Sequence, residues 1–445
     1  MNQEALMNQP IKKSFFQYTS LGIVSMMGTA LFILADTFFI SIGVGADGIG
    51  ALNIILPIIN IFNGLGWMFG VGGATLFSIE KARENIAEGR AHFTLTTILA
   101  LIVSIIFTVL TVYFTNPILR FLGADGHIFA LSKSYYSIIM PFAPLFIFNN
   151  MFITFLRNDN NPKLATIALL AGGFTNIVLD YIFVIPLNMG MRGAALATIT
   201  SPIVSLLVTS LHLKNESRQL IFHAFTFQMK KIINILSIGL SSFLNEFSSA
   251  IVMFLFNIVL LKLVGNIGVS AYAIIANMNI IVILIFTGLG QGIQPLVSLF
   301  HGAQREKEVK VILKYALTFS VILGGLIFMI GFLFPETIIS LFNSDQNQQL
   351  TQLAVPGLVW YFSSFLFIGI NFVVIYFMSA VGRSRSSLII SLLRGMLLIV
   401  PILFPLSNWL GVTGVWMTMT IVEILTLIVS LYILYIYNKQ YLKKE

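Results

Sequence analysis

The chain is a series of long apolar runs broken by short polar stretches, and that pattern leaves it few possible folds. An α-helix crosses a bilayer with about 20 apolar residues. On this reading the sequence predicts twelve spans: 15–44, 51–80, 93–114, 132–156, 164–186, 193–211, 232–261, 268–300, 312–334, 352–381, 386–407 and 412–437. Several exceed the crossing length, so tilt or extension past the bilayer is expected. The residues are 57% hydrophobic and 9% charged, against about 25% charged in a soluble domain. The predicted fold class is therefore an all-α, twelve-helix membrane protein. The first fourteen residues are polar, and the run from Phe15 is too long and lacks a small-residue cleavage site, so no cleaved signal peptide is expected. The absence of cysteine excludes disulfides, thiolate metal sites and cysteine nucleophiles.

Twelve spans put both termini on one side. Of the 25 lysines and arginines, 20 fall on the side of the termini. Four fall on the other side, Arg120, Lys133, Arg192 and Lys262, and Arg394 lies inside the eleventh span. The positive-inside rule then predicts cytoplasmic termini in a multi-pass protein of the cell membrane. The net charge of +8 is a topology signal and carries no implication of nucleic acid.

The chain also repeats itself. "GIGALNIILPIINIFNGLGWMFGVGGATLFS" (48–78) aligns without gaps on "GVSAYAIIANMNIIVILIFTGLGQGIQPLVS" (268–298) at an offset of 220. Gly48/Gly268, Ala51/Ala271, Gly70/Gly290, Gly72/Gly292 and Ser78/Ser298 coincide, and "FLGAD" (121–125) keeps the offset against "LFNSD" (341–345). Two homologous six-helix bundles are expected, an N-lobe over 1–220 and a C-lobe over 221–445. Six is even, so the halves share orientation; carriers built this way place substrate near the midplane between halves.

Seventeen acids are present, and four of them, Asp36, Asp180, Glu246 and Glu423, lie within spans. A charge at the centre of a membrane helix costs at least about 2.5–3.5 kcal/mol, so each is a candidate functional group. At 1.5 Å per residue, Asp36 lies ~14 Å, Asp180 ~9 Å and Thr198 ~8 Å from the outer ends of their spans. Asn176 precedes Asp180 by one helical turn and shares its face. Two carboxylates, an amide and a hydroxyl thus occupy one layer. Such oxygen donors suit a hard cation such as Na⁺, and a close acid pair can hold a proton. The alternative is a pair of structural acids bonded to neighbouring helices. Glu246 and Glu423, near mid-depth in the C-lobe, are candidates for a cationic substrate or a proton. Asn53, Asn60 and Asn63 share a helical face around Pro57 and line either a cavity or a helix contact, as do Gln291 and Gln294 beside Pro295. "GLGWMFG" (64–70) lies inside an apolar helix with no preceding strand, so it is no dinucleotide loop. The five histidines have no metal-site spacing, and no arrangement suggests hydrolysis.

These residues together resemble the multidrug and toxic compound extrusion (MATE) transporters. The resemblance rests on "ADTFFISIG", "GIGALNIILPI", "LRNDNNPKLA", "FTNIVLDYIFV", "MGMRGAALATITS" and "GLGQGIQPLVSLFHGAQ", and covers essentially the whole chain. It implies an exporter exchanging H⁺ or Na⁺ inward for drugs outward, with a cation site at Asp36, Asn176, Asp180 and Thr198. It further implies a helix-4 asparagine near that site, Asn150, and a helix-7 acid, Glu246. Two departures stand out. The proline that many members carry early in helix 1 is missing before Asp36, and 352–381 holds no acid to partner Glu246.

The expected function is a secondary antiporter for amphipathic, cationic compounds, coupled to H⁺ or Na⁺, with no cofactor and with a monomer sufficient. Four buried acids without a comparable set of buried bases favour cationic cargo. A lipid-linked oligosaccharide flippase of related fold is the alternative and would require a basic cavity. A lipid-modifying membrane enzyme would require a catalytic cluster that the sequence lacks.

Overall fold

The computed structural model describes residues 3–340 and 347–442, and the "LFNSD" half of one repeat pair lies outside them. Among the described residues there are helices and no strands. This suits the medium: in hydrocarbon every backbone N–H and C=O must be bonded within the protein, and a helix does so within its own segment. Among the described residues eleven helices are long and apolar enough to cross a membrane, and a bent pair, taken as one span, makes a twelfth. In chain order they are α1 (Ile11–Gly43), α2 (Ala46–Ala82), α3 (Ile86–Tyr113), α4 (Gly126–Ile139 with Ala143–Asn158), α5 (Pro162–Val184) and α6 (Gly190–Ser210). Then come α7 (Met229–Val264), α8 (Asn266–Gly302), α9 (Glu306–Leu333), α10 (Gln348–Ser363 with Phe365–Ala380), α11 (Ser384–Leu410) and α12 (Val412–Leu442).

The irregularities have identifiable causes. In α4 a 3₁₀ turn, Met140–Phe142, sits where Pro141 and Pro144 cannot donate to the helical ladder. The 40° bend of α10 falls at Ser364, whose hydroxyl donates back to the Tyr361 carbonyl at 2.6 Å. In α11 a π-turn, Leu393–Leu397, closes with Leu398 N–H donating to the Leu393 carbonyl at 3.2 Å, just ahead of Pro401. By contrast α1 runs unbroken for 33 residues, as its lack of internal proline predicts.

The 220-residue offset reappears in the elements. Adding it to the bounds of α2 and α3 gives those of α8 and α9, and Gly45 and Gly265 both stand at positive φ (87° and 72°) before α2 and α8. That left-handed turn favours glycine, and the repeat retains one in each half. One apolar core gathers side chains of the first six helices, including Ile40, Phe62, Phe69 and Phe155. A second gathers those of the last six, including Phe256, Phe286 and Trp416, and also takes in Leu6, Phe15 and Tyr18 from the start of the chain. Outward faces are apolar and exposed, as at Leu31, Val109, Phe174, Leu326 and Tyr432.

The halves meet where α1 packs on α8 and α2 on α7. The approach is tightest toward the end that carries the basic loops. A Cβ on Gly288 would sit 2.6 Å from the Gly22 carbonyl oxygen, so only glycine allows these backbones to touch. Polar bonds seal the same end. Arg157 on α4 bonds Gln291 on α8 and donates to Ser25 on α1 at 2.9 Å. Asn158 donates to Gln294 at 2.9 Å, and Gln294 donates to Thr75 on α2 at 2.8 Å.

Candidate functional site

Between the halves, away from that sealed end, lies a cavity of about 390 Å³. Asn53, Pro57 and Asn60 from α2, Glu246 from α7, Tyr376 from α10 and Arg394 from α11 line it. Pro57 has no N–H for the Asn53 carbonyl one turn earlier, so α2 lacks that helical bond beside the cavity. The volume is that of a drug-sized ligand site. The wall is mostly apolar, with Met253, Phe254 and Phe372 among its side chains.

The second polar feature is buried in the first bundle. Asp36 on α1 lies beside Asp180 on α5, and Asn176 lies beside Asp180. All three side chains are buried, yet Oδ1 of Asp36, both carboxylate oxygens of Asp180 and both amide atoms of Asn176 have no hydrogen-bond partner. Two facing carboxylates can bond only through something positive between them, either a shared proton or a cation. Unsatisfied buried polar atoms are rare and costly. Orphaned oxygen donors on three side chains therefore fit a proton or a hard monovalent cation.

Thr198 on α6 joins through a residue that sequence reasoning missed. Its hydroxyl donates to the Ala194 carbonyl at 2.8 Å. The Tyr135 hydroxyl on α4, 3.2 Å from Thr198 Oγ1, is therefore the donor of that pair. Tyr135 is fully buried within electrostatic reach of both Asp36 and Asp180. Its distance in sequence from all four expected residues gave no hint of this. Among the described residues no group of three His, Cys, Asp or Glu side chains is poised to hold a metal.

The other expected residues separate. Asn53, Asn60 and Glu246 line the cavity, whereas Asn150, Gln291 and Glu423 do not. Asn150 donates to the Asn63 side chain at 3.0 Å and to its carbonyl at 3.4 Å, so both asparagines serve the α2–α4 contact. Gln291 is spent on Arg157 across the seam. Glu423 is fully buried, accepting from Arg394 Nε at 2.6 Å and from Asn371 Nδ2 at 2.7 Å, so its charge is answered within the protein. The expected lack of buried bases is also corrected: Lys81, Arg157 and Arg394 are all buried. Lys81 pairs with Asp159 at 3.1 Å and Arg394 with Glu423, while among the described residues Arg157 bonds only neutral groups.

Comparison with known proteins shows what this chain is similar to. The MatE family profile matches residues 22–182 and 238–405, well over half of the chain. A "Multidrug export protein MepA" from Staphylococcus saprophyticus is 24% identical over 95% of this chain and 93% of its own length. One of the same description from Staphylococcus aureus (strain NCTC 8325 / PS 47) is 26% identical over 96% and 94%. The structure described as "Crystal structure of MATE in the bent conformation" superposes with a TM-score of 0.89 at 22% identity, covering 100% of this chain and 99% of that one. "Outward-facing conformation of a multidrug resistance MATE family transporter of the MOP superfamily" superposes at 0.91 and 22%, covering 99% and 98%.

Proposed function

The chain belongs to the MatE family, and on that premise we propose that it exports amphipathic, cationic compounds across the cell membrane in exchange for H⁺ or Na⁺. The observation that carries this reading is the orphaned acid pair, Asp36 and Asp180, with Asn176 beside it. A proton or Na⁺ entering the pair relieves the repulsion between two buried carboxylates and draws α1 toward α5. An ion shifts a conformational equilibrium only by its differential affinity for the two states. The pair supplies that difference if its carboxylates spread in one state and close in the other. The cavity at Glu246 is the cargo site, and its apolar wall suits an amphipathic cation. Export of drugs is what the names of the similar staphylococcal proteins describe.

The domain and topology readings belong to the same proposal. An N-lobe (1–220) and a C-lobe (221–445) rock about the seam, with both termini in the cytoplasm, where the positive-inside rule puts the basic loops. The seal at that end corresponds to a state open to the opposite side. No cofactor is needed, and one chain carries both lobes.

A lipid-linked oligosaccharide flippase is the weaker reading. It calls for a cavity of net positive charge, and among the described residues the cavity's one lysine or arginine is Arg394, whose charge Glu423 balances. Purified chain reconstituted in vesicles decides. Efflux of a cationic dye driven by an imposed H⁺ or Na⁺ gradient supports antiport, whereas lipid-linked sugar translocation without gradient dependence replaces it.

A further inference from the structure

The cavity is lined by an acid at one place and a base at another, and the base is mounted with unusual care. Arg394 sits in the π-turn of α11, a distortion that recurs at functional sites. The turn packs directly on α7: a Cβ on Gly395 would collide with the Ser248 side chain, which with Glu246 lines the cavity. The guanidinium is fixed at two points. Its Nε donates to Glu423 at 2.6 Å, and its plane lies 4.3 Å from the Phe372 ring centre. Glu423 is itself held by Asn371, which Ser430 orients by donating to its Oδ1 at 2.8 Å. A buried pair with its remaining valences satisfied in this way is preorganised.

What the mounting leaves over matters most. Neither terminal amino group of Arg394 makes a hydrogen bond among the described residues, and neither is sealed from the cavity. These are four N–H donors in a rigid plane, the arrangement that matches a carboxylate. Glu246 likewise has no hydrogen bond or ion pair among the described residues. The Arg394–Glu423 pair is neutral as a unit, so an anionic group would be recognised through aligned donors rather than net charge.

We propose that Arg394 is a specificity-determining residue that reads a carboxylate on the cargo, so that the cavity accepts zwitterionic amphiphiles, with their cationic end at Glu246, as well as simple cations. The proposal rests on the export reading above and names a substrate class for that cavity. A zwitterion leaves the net charge of the cavity unchanged and finds a partner for each pole. A cation of the same shape uses Glu246 and leaves the Arg394 donors unmatched.

The test uses two dyes of one scaffold: tetramethylrosamine, a cation, and tetramethylrhodamine, which adds a carboxylate. Binding to the purified full-length chain is followed by fluorescence polarisation. The double variant R394Q/E423Q replaces the buried ion pair by an amide pair, so no uncompensated charge remains. The ratio of the two dissociation constants, rhodamine over rosamine, is expected to rise about tenfold or more, the loss of charge-assisted hydrogen bonds. Arg394→Lys, which keeps a charge for Glu423 and loses the planar fork, should raise the ratio by less, and it decides the question if the double variant does not fold. An unchanged ratio in a folded variant, with both dyes bound, overturns the role of Arg394 and leaves the export reading intact. Wild-type chain that binds neither dye overturns both.

Discussion

Asp36 and Asp180 are buried acids with no ion pair among the described residues, and in this respect they differ from Asp159 and Glu423, which have one. That contrast separates acids whose charge is answered within the protein from the acids that the export reading assigns to the ion. It was partly legible in the sequence. Depth along each span placed Asp36, Asn176, Asp180 and Thr198 in one layer, because helix rise is constant and the acids stand out against apolar neighbours. Partners across helices were not legible. Glu423 looked free because Arg394 is 29 positions away, and Tyr135 is one of 13 tyrosines with no mark of its register. The Tyr135 hydroxyl, bonded to Thr198 beside the acids, gives the residue-scale prediction. Tyr135→Phe should raise the ion concentration for half-maximal exchange about 3- to 10-fold, the worth of one neutral hydrogen bond. Unchanged ion dependence in dye-efflux assays would reduce Tyr135 to packing.

At the scale of elements, apolar run length located all the spans, and their bends lie at prolines or serines that a run-length reading passes over. Helix ends were the weaker point. The sequence assigned Arg157 to a loop, but α4 continues to Asn158 and carries Arg157 into the seam. Just beyond that end, Asp159 anchors the segment joining the halves. It bonds Lys81 at 3.1 Å, His212 at 2.8 Å and the Gln219 N–H at 2.8 Å. Burial alone would push this carboxyl up, but the His212 hydrogen bond, the Lys81 charge and the Gln219 N–H outweigh it and hold it below the usual carboxylate range. A group depressed in the folded state stabilises above its unfolded value, about 4, and the gain is lost as pH falls through the folded value. Asp159→Asn, which removes the carboxylate from the buried Lys81 and leaves it the Asn158 carbonyl, should therefore cost about 3–5 kcal/mol at pH 7. The gap in melting temperature from wild type should narrow as the pH drops below 4. A gap that is constant from pH 7 to 3 would show that the charge of Asp159 is not what holds the segment.

For the whole molecule, the repeat was the strongest sequence evidence, and it reappears in matching helix bounds and paired left-handed turns. What the repeat could not reveal was the state of the seam, since both lobes read alike whichever end is closed. The closed end can be locked chemically in a chain with no cysteine of its own. A Cβ at position 302 would lie 2.8 Å from that of Ala82 but also 2.7 Å from the Ile79 carbonyl oxygen, so α2 and α8 must part slightly there, which also brings the pair toward the 3.5–4.5 Å of a disulfide. Ala82→Cys with Gly302→Cys should stop dye export under oxidation and recover it on reduction; export that persists in the oxidised form would mean the lobes need not part there. The claim on which the rest depends is that the ion which drives export binds at Asp36 and Asp180. The most direct measurement is dye efflux from vesicles reconstituted with Asp36→Asn and driven by an imposed H⁺ or Na⁺ gradient. The account predicts that gradient-driven efflux is lost while the variant remains folded and still binds dye. Efflux at the wild-type rate with the same gradient dependence would contradict it.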